Sequence, residues 1–353
     1  MLEVIATAGG VALIFLALLD AFETIVLPRR VNRRFRLTRL YTLWSWSAWA
    51  IIGRRMGNSA RETYLSFYGP LSLIVLISIW AVLMILGFGM VMWGAGSALT
   101  SSGKEAGFGT DIYMSGTTFF TLGLGDVTPH SSFSRVITIA EAGAGFGFLA
   151  LVITYLPVLY QAFSRREVNV SLLDARAGSP PSAGEFFRRL NDGGHIERMP
   201  EFLRQWETWA SELLEIHLSY PVLAFYRSQH ERQSWVAALT FILDVSSLAL
   251  AGGVPDHQRQ ARLTYAMARH AAADLSQLTT RPDEIAERLP HEDFVRMVEA
   301  AAPLLDGVQE DSLRLLRKKY EANVQGLSRV LLMPLPSWLP SDSKDAWQSS
   351  LWE

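Results

Sequence analysis

The chain contains no cysteine. That excludes disulfides, thiolate metal sites and thiol nucleophiles, and it removes any report on redox compartment. Charge is also scarce: 19% of the 353 residues are Asp, Glu, Lys or Arg, against 50% hydrophobic, and the mean hydropathy is +0.18. So apolar a composition excludes an ordinary soluble enzyme of this size and points to a membrane protein. The net charge of −2 hides a split. Residues 1–163 carry 11 basic and 8 acidic side chains, and residues 164–353 carry the other 21 and 26. Neither half has the basic balance of a nucleic-acid binder, so no nucleic-acid partner is expected. No Glu-x-x-His pair occurs, which removes the usual di-iron bundle signature. No cofactor and no enzymatic activity are expected.

Long apolar runs are present instead. Val4–Leu27 would span about 36 Å as a helix, enough for a hydrocarbon core of about 30 Å. It is too long for a signal-peptide core and lacks a basic leader, so residues 1–28 read as a first transmembrane helix. No charge occurs between Thr63 and Gly103, and residues 64–94 form a second crossing. Residues 133–163 form a third, with Arg135 and Glu141 as its charges. Between the first two crossings, residues 29–63 are basic and tryptophan-rich: Arg29, Arg30, Arg33, Arg34, Arg36 and Arg39 precede LYTLWSWSAWAIIG, and Arg54, Arg55 and Arg61 follow it. That uncharged run reaches only about 21 Å as a helix, so it is expected to lie in the interface with Trp44, Trp46 and Trp49 at headgroup level. Positive flanks on both sides place this connector in the cytoplasm, the N-terminus outside and everything after Ser164 inside. Arg29, Arg30, Arg33 and Arg36 are expected to meet anionic headgroups; Arg30, Arg33, Arg36 and Arg39 recur every third residue, but a voltage sensor is rejected because the apolar spacing is interrupted.

This topology leaves TTFFTLGLGDVTP, Thr117–Pro129, on the outer side between two crossings. Residues 111–120 can form a short helix capped by Thr110 or Asp111. TLGLGD cannot continue it: glycine at alternate positions permits backbone conformations that point successive carbonyls the same way. Irregular backbone at membrane depth is tolerated where it lines a watery cavity, and a row of carbonyls can replace the hydration shell of a monovalent cation.

On these residues, the stretch Tyr64–Phe163 resembles the helix, pore loop, helix unit of potassium channels. The family's filter pattern matches Thr121, Leu122, Gly123, Leu124, Gly125 and Asp126. The resemblance implies that Thr121 gives the innermost hydroxyl and carbonyl ligands for K+, that Leu122, Gly123 and Leu124 give carbonyls, and that Gly125 and Asp126 form the outer mouth, with Thr117, Thr118 and Phe120 in support. Leu124 replaces the family's bracing aromatic residue, as in animal two-pore-domain channels, and Phe120 stands where a second threonine is usual. One pore loop per chain encloses nothing, so the family's four-loop filter implies a homotetramer.

Other membrane residues carry two readings each. Gly143, Gly145 and Gly147 with Pro157 fit either close helix packing or a gating hinge. Glu141 reads as a brace behind the filter or as a plain hydrogen-bonding group. Asp20 and Glu23 share one helix face, as an ion-paired anchor beside Arg29 and Arg30 or as a sensing contact.

From Ser164 on, helical periodicity holds throughout. LLDARAGSPPSAGEFFRRL reads as a linker and capped helix start, followed by helices over 200–220, 221–230, 233–251, 255–278 and 311–332, the last with Leu313, Leu316, Tyr320, Val324, Leu327 and Leu331 on one stripe. The tail, residues 164–353, is therefore an all-helical bundle without the nucleotide fold that regulates many prokaryotic potassium channels. His217 and His230, with Glu231, Tyr220 and Tyr226, cluster at a proline-marked junction as packing residues or as a pocket for an unknown cytoplasmic ligand.

The expectation is an all-α membrane protein of the bacterial inner membrane: three crossings, a re-entrant pore helix and filter loop, a cytoplasmic helical bundle, assembled as a homotetrameric potassium channel. The alternatives are a weakly selective cation channel and a membrane-anchored signalling protein with a vestigial pore.

Overall fold

The computed structural model describes residues 1–27, 36–97, 99–101, 107–193, 196–229, 232–253, 257–278 and 284–339. Helices dominate, and they fall into two compact units: residues 1–56 with 67–160, and residues 57–66 with 161–353.

In the first unit, α1 (Leu2–Ala21) ends in a wider turn over Phe22–Val26 and runs along α4 (Tyr68–Gly94). Their backbones nearly touch: a Cβ on Gly10 would meet the Gly87 carbonyl at 2.5 Å, and one on Gly87 would meet the Gly10 carbonyl at 2.9 Å. Small residues at a crossing are how membrane helices gain dispersion contacts without a hydrophobic drive between them. The interfacial run expected over 40–53 forms α2 (Leu37–Gly53). It buries Trp46 in edge-on contact with Tyr68, and turns Leu40, Leu43, Trp44 and Ile51 outward on the opposite stripe. The second crossing does not begin at 64. A separate helix, α3 (Asn58–Ser66), precedes it, with a turn at Phe67 between the two.

After α4 a short strand, β1 (Leu99–Ser101), pairs antiparallel with β2 (Val127–Pro129), Thr100 opposite Thr128. Between them lies α5 (Phe108–Phe119). It starts three residues before the expected 111, because its N-cap is Gly107 rather than Thr110 or Asp111; both of those amides donate to the Gly107 carbonyl. Then comes α6 (Ser132–Ser171), which does not stop at 163. Helical hydrogen bonding does not need to end where lipid does, and the residues from Gln161 belong to the second unit.

The second unit is a bundle of α7 (Leu173–Ala177), α8 (Ala183–Gly193), α9 (Met199–Ser219), α10 (Trp235–Leu248), α11 (Gln258–Leu275), α12 (His291–Ala300), α13 (Glu310–Arg317) and α14 (Glu321–Leu331). Every residue of α10 is buried. The helix expected over 221–230 shrinks to a 3-10 turn over Pro221–Phe225. The helix expected over 311–332 is broken at Lys318–Tyr320, yet Leu313, Tyr320, Val324, Leu327 and Leu331 still all face the core.

Among the described residues four helical stretches are long and apolar enough to cross a membrane, one more than expected: Leu2–Val26, Asn58–Gly94, Ser132–Ala177 and Trp235–Gly252. The fourth is of another kind. Its α-helical part is 14 residues, about 21 Å, short of a 30 Å core, and 89% of its apolar window is covered by protein.

Candidate pore loop and its supports

The loop that leaves α5 has an unusual backbone. Thr121, Gly123 and Gly125 have φ of +57°, +56° and +80°, while Leu122 and Leu124 between them do not enter the left-handed region. Alternation of handedness from one residue to the next turns successive peptide planes the same way round, where a strand would alternate them. Two of the three left-handed positions are glycine, which pays nothing for φ > 0; Thr121 is strained by about 1 kcal/mol or more. The turn is held at its inner end by the α5 carbonyls: Thr121 N–H donates to Thr118 at 3.0 Å, and Leu122 N–H to Thr117 at 2.7 Å. Thr117 and Thr118 are buried behind it, whereas Phe120, Leu122 and Leu124 lie 58%, 61% and 63% exposed. One chain builds the back of this loop and leaves its front uncovered.

Glu141 is fully buried on α6 and meets the hydroxyl of Ser115 on α5. Ser115 also reaches the Ile85 carbonyl of α4 at 2.8 Å. A hydroxyl has one proton to give, so Ser115 donates to one of these neighbours and accepts or merely abuts at the other. The contact ties together all three helices around the loop. Gly145 adds a second tie: a Cβ there would collide with the Phe119 carbonyl at the end of α5. Gly143 and Gly147 have nothing near a would-be Cβ, and α6 passes through Gly143, Gly145, Gly147 and Pro157 without interruption.

Near the start of α5 and the far end of the loop, two bonds had no counterpart in the sequence reading. Tyr113 Oη donates to Asp126 Oδ2 at 2.8 Å, and Ser97 Oγ donates to the buried Asp111 at 2.6 Å. The first supplies from α5 a phenolic hydroxyl that Leu124 cannot. A tyrosine on α5, beside a loop with leucine at 124 where the resemblance expects an aromatic residue, was the available signal.

Asp20 and Glu23 separate in role. Glu23 pairs with Arg36 at 3.3 Å. Asp20 is fully buried and accepts from Trp80 Nε1 at 2.9 Å and from Thr38 through both N–H at 3.1 Å and Oγ1 at 2.5 Å, so a side chain of α1 caps the start of α2 and grips α4. Arg29, Arg30 and Arg33 lie outside the described residues; Arg36 is largely covered, with Thr24 as a further partner.

In the second unit, His217 is buried beside the ring of Trp235, its Nδ1 donating to the Leu213 carbonyl at 2.7 Å. Burial, and after it the charge of Arg166, lowers its pKa from 6.5 to about 3, so it stays neutral at physiological pH. His230 and Glu231 lie outside the described residues. Among the described residues no group of three or more acidic or histidine side chains is placed to hold a metal ion.

Apolar crossing helices around a buried polar seam, with an irregular loop at their centre, define a multi-pass membrane protein. Residues 71–161 match the family model described as ion channel, so the segment that carries the loop is similar to ion channels of the two-helix pore type. The chain is also 25% identical over 273 residues, 76% of its length, to a Bacillus subtilis (strain 168) protein named uncharacterized membrane protein YdjJ, of which the match covers 77%. No solved structure matches the chain.

Proposed function

We propose that this protein is a potassium-selective channel of the bacterial inner membrane, with the N-terminus outside and the helical bundle in the cytoplasm. The observation that carries the reading is the alternation of left-handed residues at 121, 123 and 125 at the end of α5. Carbonyls brought round to one side offer oxygen ligands to a dehydrating monovalent cation, at Thr121, Leu122, Gly123 and Leu124. The uncovered front of the loop supports a homotetramer, since four such fronts around one axis enclose a path that one cannot. K+ is the permeant ion and no cofactor is required. In this reading Glu141 and Tyr113 are supports that keep the loop from collapsing or widening, α6 lines the inner pore, and the bundle modulates its opening.

The decisive experiment is the reversal potential of purified protein in a planar bilayer with potassium on one side and sodium on the other. A value near the potassium equilibrium potential is expected. A clear current that reverses near zero would replace this reading with a weakly selective cation channel, which the exposure of Leu124 favours. Absence of current under varied voltage, pH and ionic conditions would leave the membrane-anchored signalling reading, in which the bundle is the working part.

A further inference from the structure

The segment Pro221–Arg227, a 3-10 turn and the two residues after it, lies between α9 and α10 in the bundle. It is anchored inward: Leu223 and Ala224 are buried, and Trp235 Nε1 donates to the Ala224 carbonyl at 3.2 Å. It also holds two other pieces of its unit. One is the end of α6. The guanidinium of Arg166, 1% exposed, donates to the carbonyls of Leu223 and Tyr226, both at 2.9 Å, with Glu167 completing it at 2.8 Å, and the ring of Phe163 packs on that of Tyr226 at 5.7 Å. The other is α3. Arg227 donates to Glu62 at 3.3 Å while it also donates to the carbonyls of Leu331 and Leu332 at the end of α14, at 2.5 and 3.1 Å.

These two pieces have a special place in the chain. α3 is separated from α4 by Phe67 alone, and the end of α6 continues the third crossing, so they are the roots of the two long helices of the ion channel domain. Both belong to the bundle's unit and not to the membrane unit. We propose that residues 221–227 are a joint through which the bundle holds both roots at once, α4 through the Arg227–Glu62 pair and α6 through Arg166. A repacking of α14 or α9 would then reach the pore by two routes with one pivot, and the positioning residues for opening are Arg166, Arg227 and Glu62. The proposal rests on the channel reading above.

Glu62 is the residue to change, since it is the partly exposed partner and its loss leaves the bundle core intact. In planar bilayers Glu62→Gln is expected to shift open probability by about fivefold or more, the lower end of ordinary coupling between sites. Unitary conductance and reversal potential should not move, because the filter is untouched, and Glu201→Gln on the exposed side of α9 should match wild type. Wild-type open probability in Glu62→Gln overturns the joint while the channel reading stands; a wild type that passes no current removes the channel reading and the joint's role with it. A readout independent of current uses the absence of native cysteine. A spin label on Ser59→Cys of α3 should become more mobile when Glu62→Gln is added, and an unchanged spectrum refutes the grip on α3.

Discussion

The two units of this chain solve opposite problems. The bundle closes on itself: Trp206, Trp209, Trp235, Phe187 and Phe241 are all buried in one continuous core, and α10 has no outward face. The membrane unit stays open. Along α6, Val136, Ile139, Phe146 and Ile153 are more than 60% exposed, and so are Leu122 and Leu124 in the loop. Its buried side carries polar ties: Asp20 with Trp80 and Thr38, Ser115 with Glu141, Ser97 with Asp111. Apolar surface can hold a bundle in water, because water drives it together. In lipid that drive is absent, so packing distance and hydrogen bonds must decide where helices stand. The difference predicts that changes in the membrane unit act on conduction with little effect on stability, and changes in the bundle core act on stability first.

The largest expected effect breaks the open unit alone. Gly123→Asp places a side chain where φ is +56° and a charge in the loop, and bilayer current should vanish while bundle tryptophan fluorescence and the unfolding transition stay at wild-type values. The converse is Leu243→Ala. This fully buried core side chain should cost about 2–5 kcal/mol in denaturant unfolding of the full chain, with the reversal potential of the remaining folded channels unchanged. If instead the reversal potential moved, the two units would not be separable in the way argued.

A third test uses His217. Its folded pKa of about 3 lies below the ordinary 6.5, so the unfolded chain binds one more proton between those values. Stability should therefore fall as pH drops below 6.5, by about 1.4 kcal/mol per pH unit from this group, and should be unaffected by it above 6.5. Thermal melts in steps from pH 7 to pH 4 measure the slope, and His217→Gln should flatten it; an equal slope in both would place the proton uptake elsewhere. The smallest effect is that of Tyr113→Phe, which removes one exposed hydroxyl from Asp126. Its loss should appear as a small change in potassium over sodium permeability, without loss of folding.

What could be read from the residues alone follows the same division. Three apolar runs, the short helix before TLGLGD and the irregular loop were legible because each is a local property: length, absence of charge, glycine at alternate positions. Glu141 could be read as a brace, but the partners of such supports could not. Ser115 and Glu141 are 26 residues apart, Trp80 and Asp20 60 apart, and nothing in a side chain announces a partner at that range. α10 read as one more bundle helix, but its composition alone satisfies the criteria for a membrane crossing; only its covering by other helices separates the two. α12 was missed altogether, since HEDFVRMVEA buries just Phe294 and Met297 and so carries too short a stripe to register. The break at Lys318–Tyr320 was hidden for the opposite reason: an apolar stripe that faces the core on both sides of a turn keeps its period across it.

The bond between Asp20 and Trp80 also sets an order of events during synthesis. At about 5–20 residues per second, the 60 residues that separate them take about 3–12 s to make. Thr38 of α2 follows after 18 residues, but until Trp80 is made the carboxylate lacks its partner on α4, and an acid within a membrane helix costs about 2.5–3.5 kcal/mol at its centre. The first helix is therefore expected to reach its final packing only when the indole of the next crossing arrives.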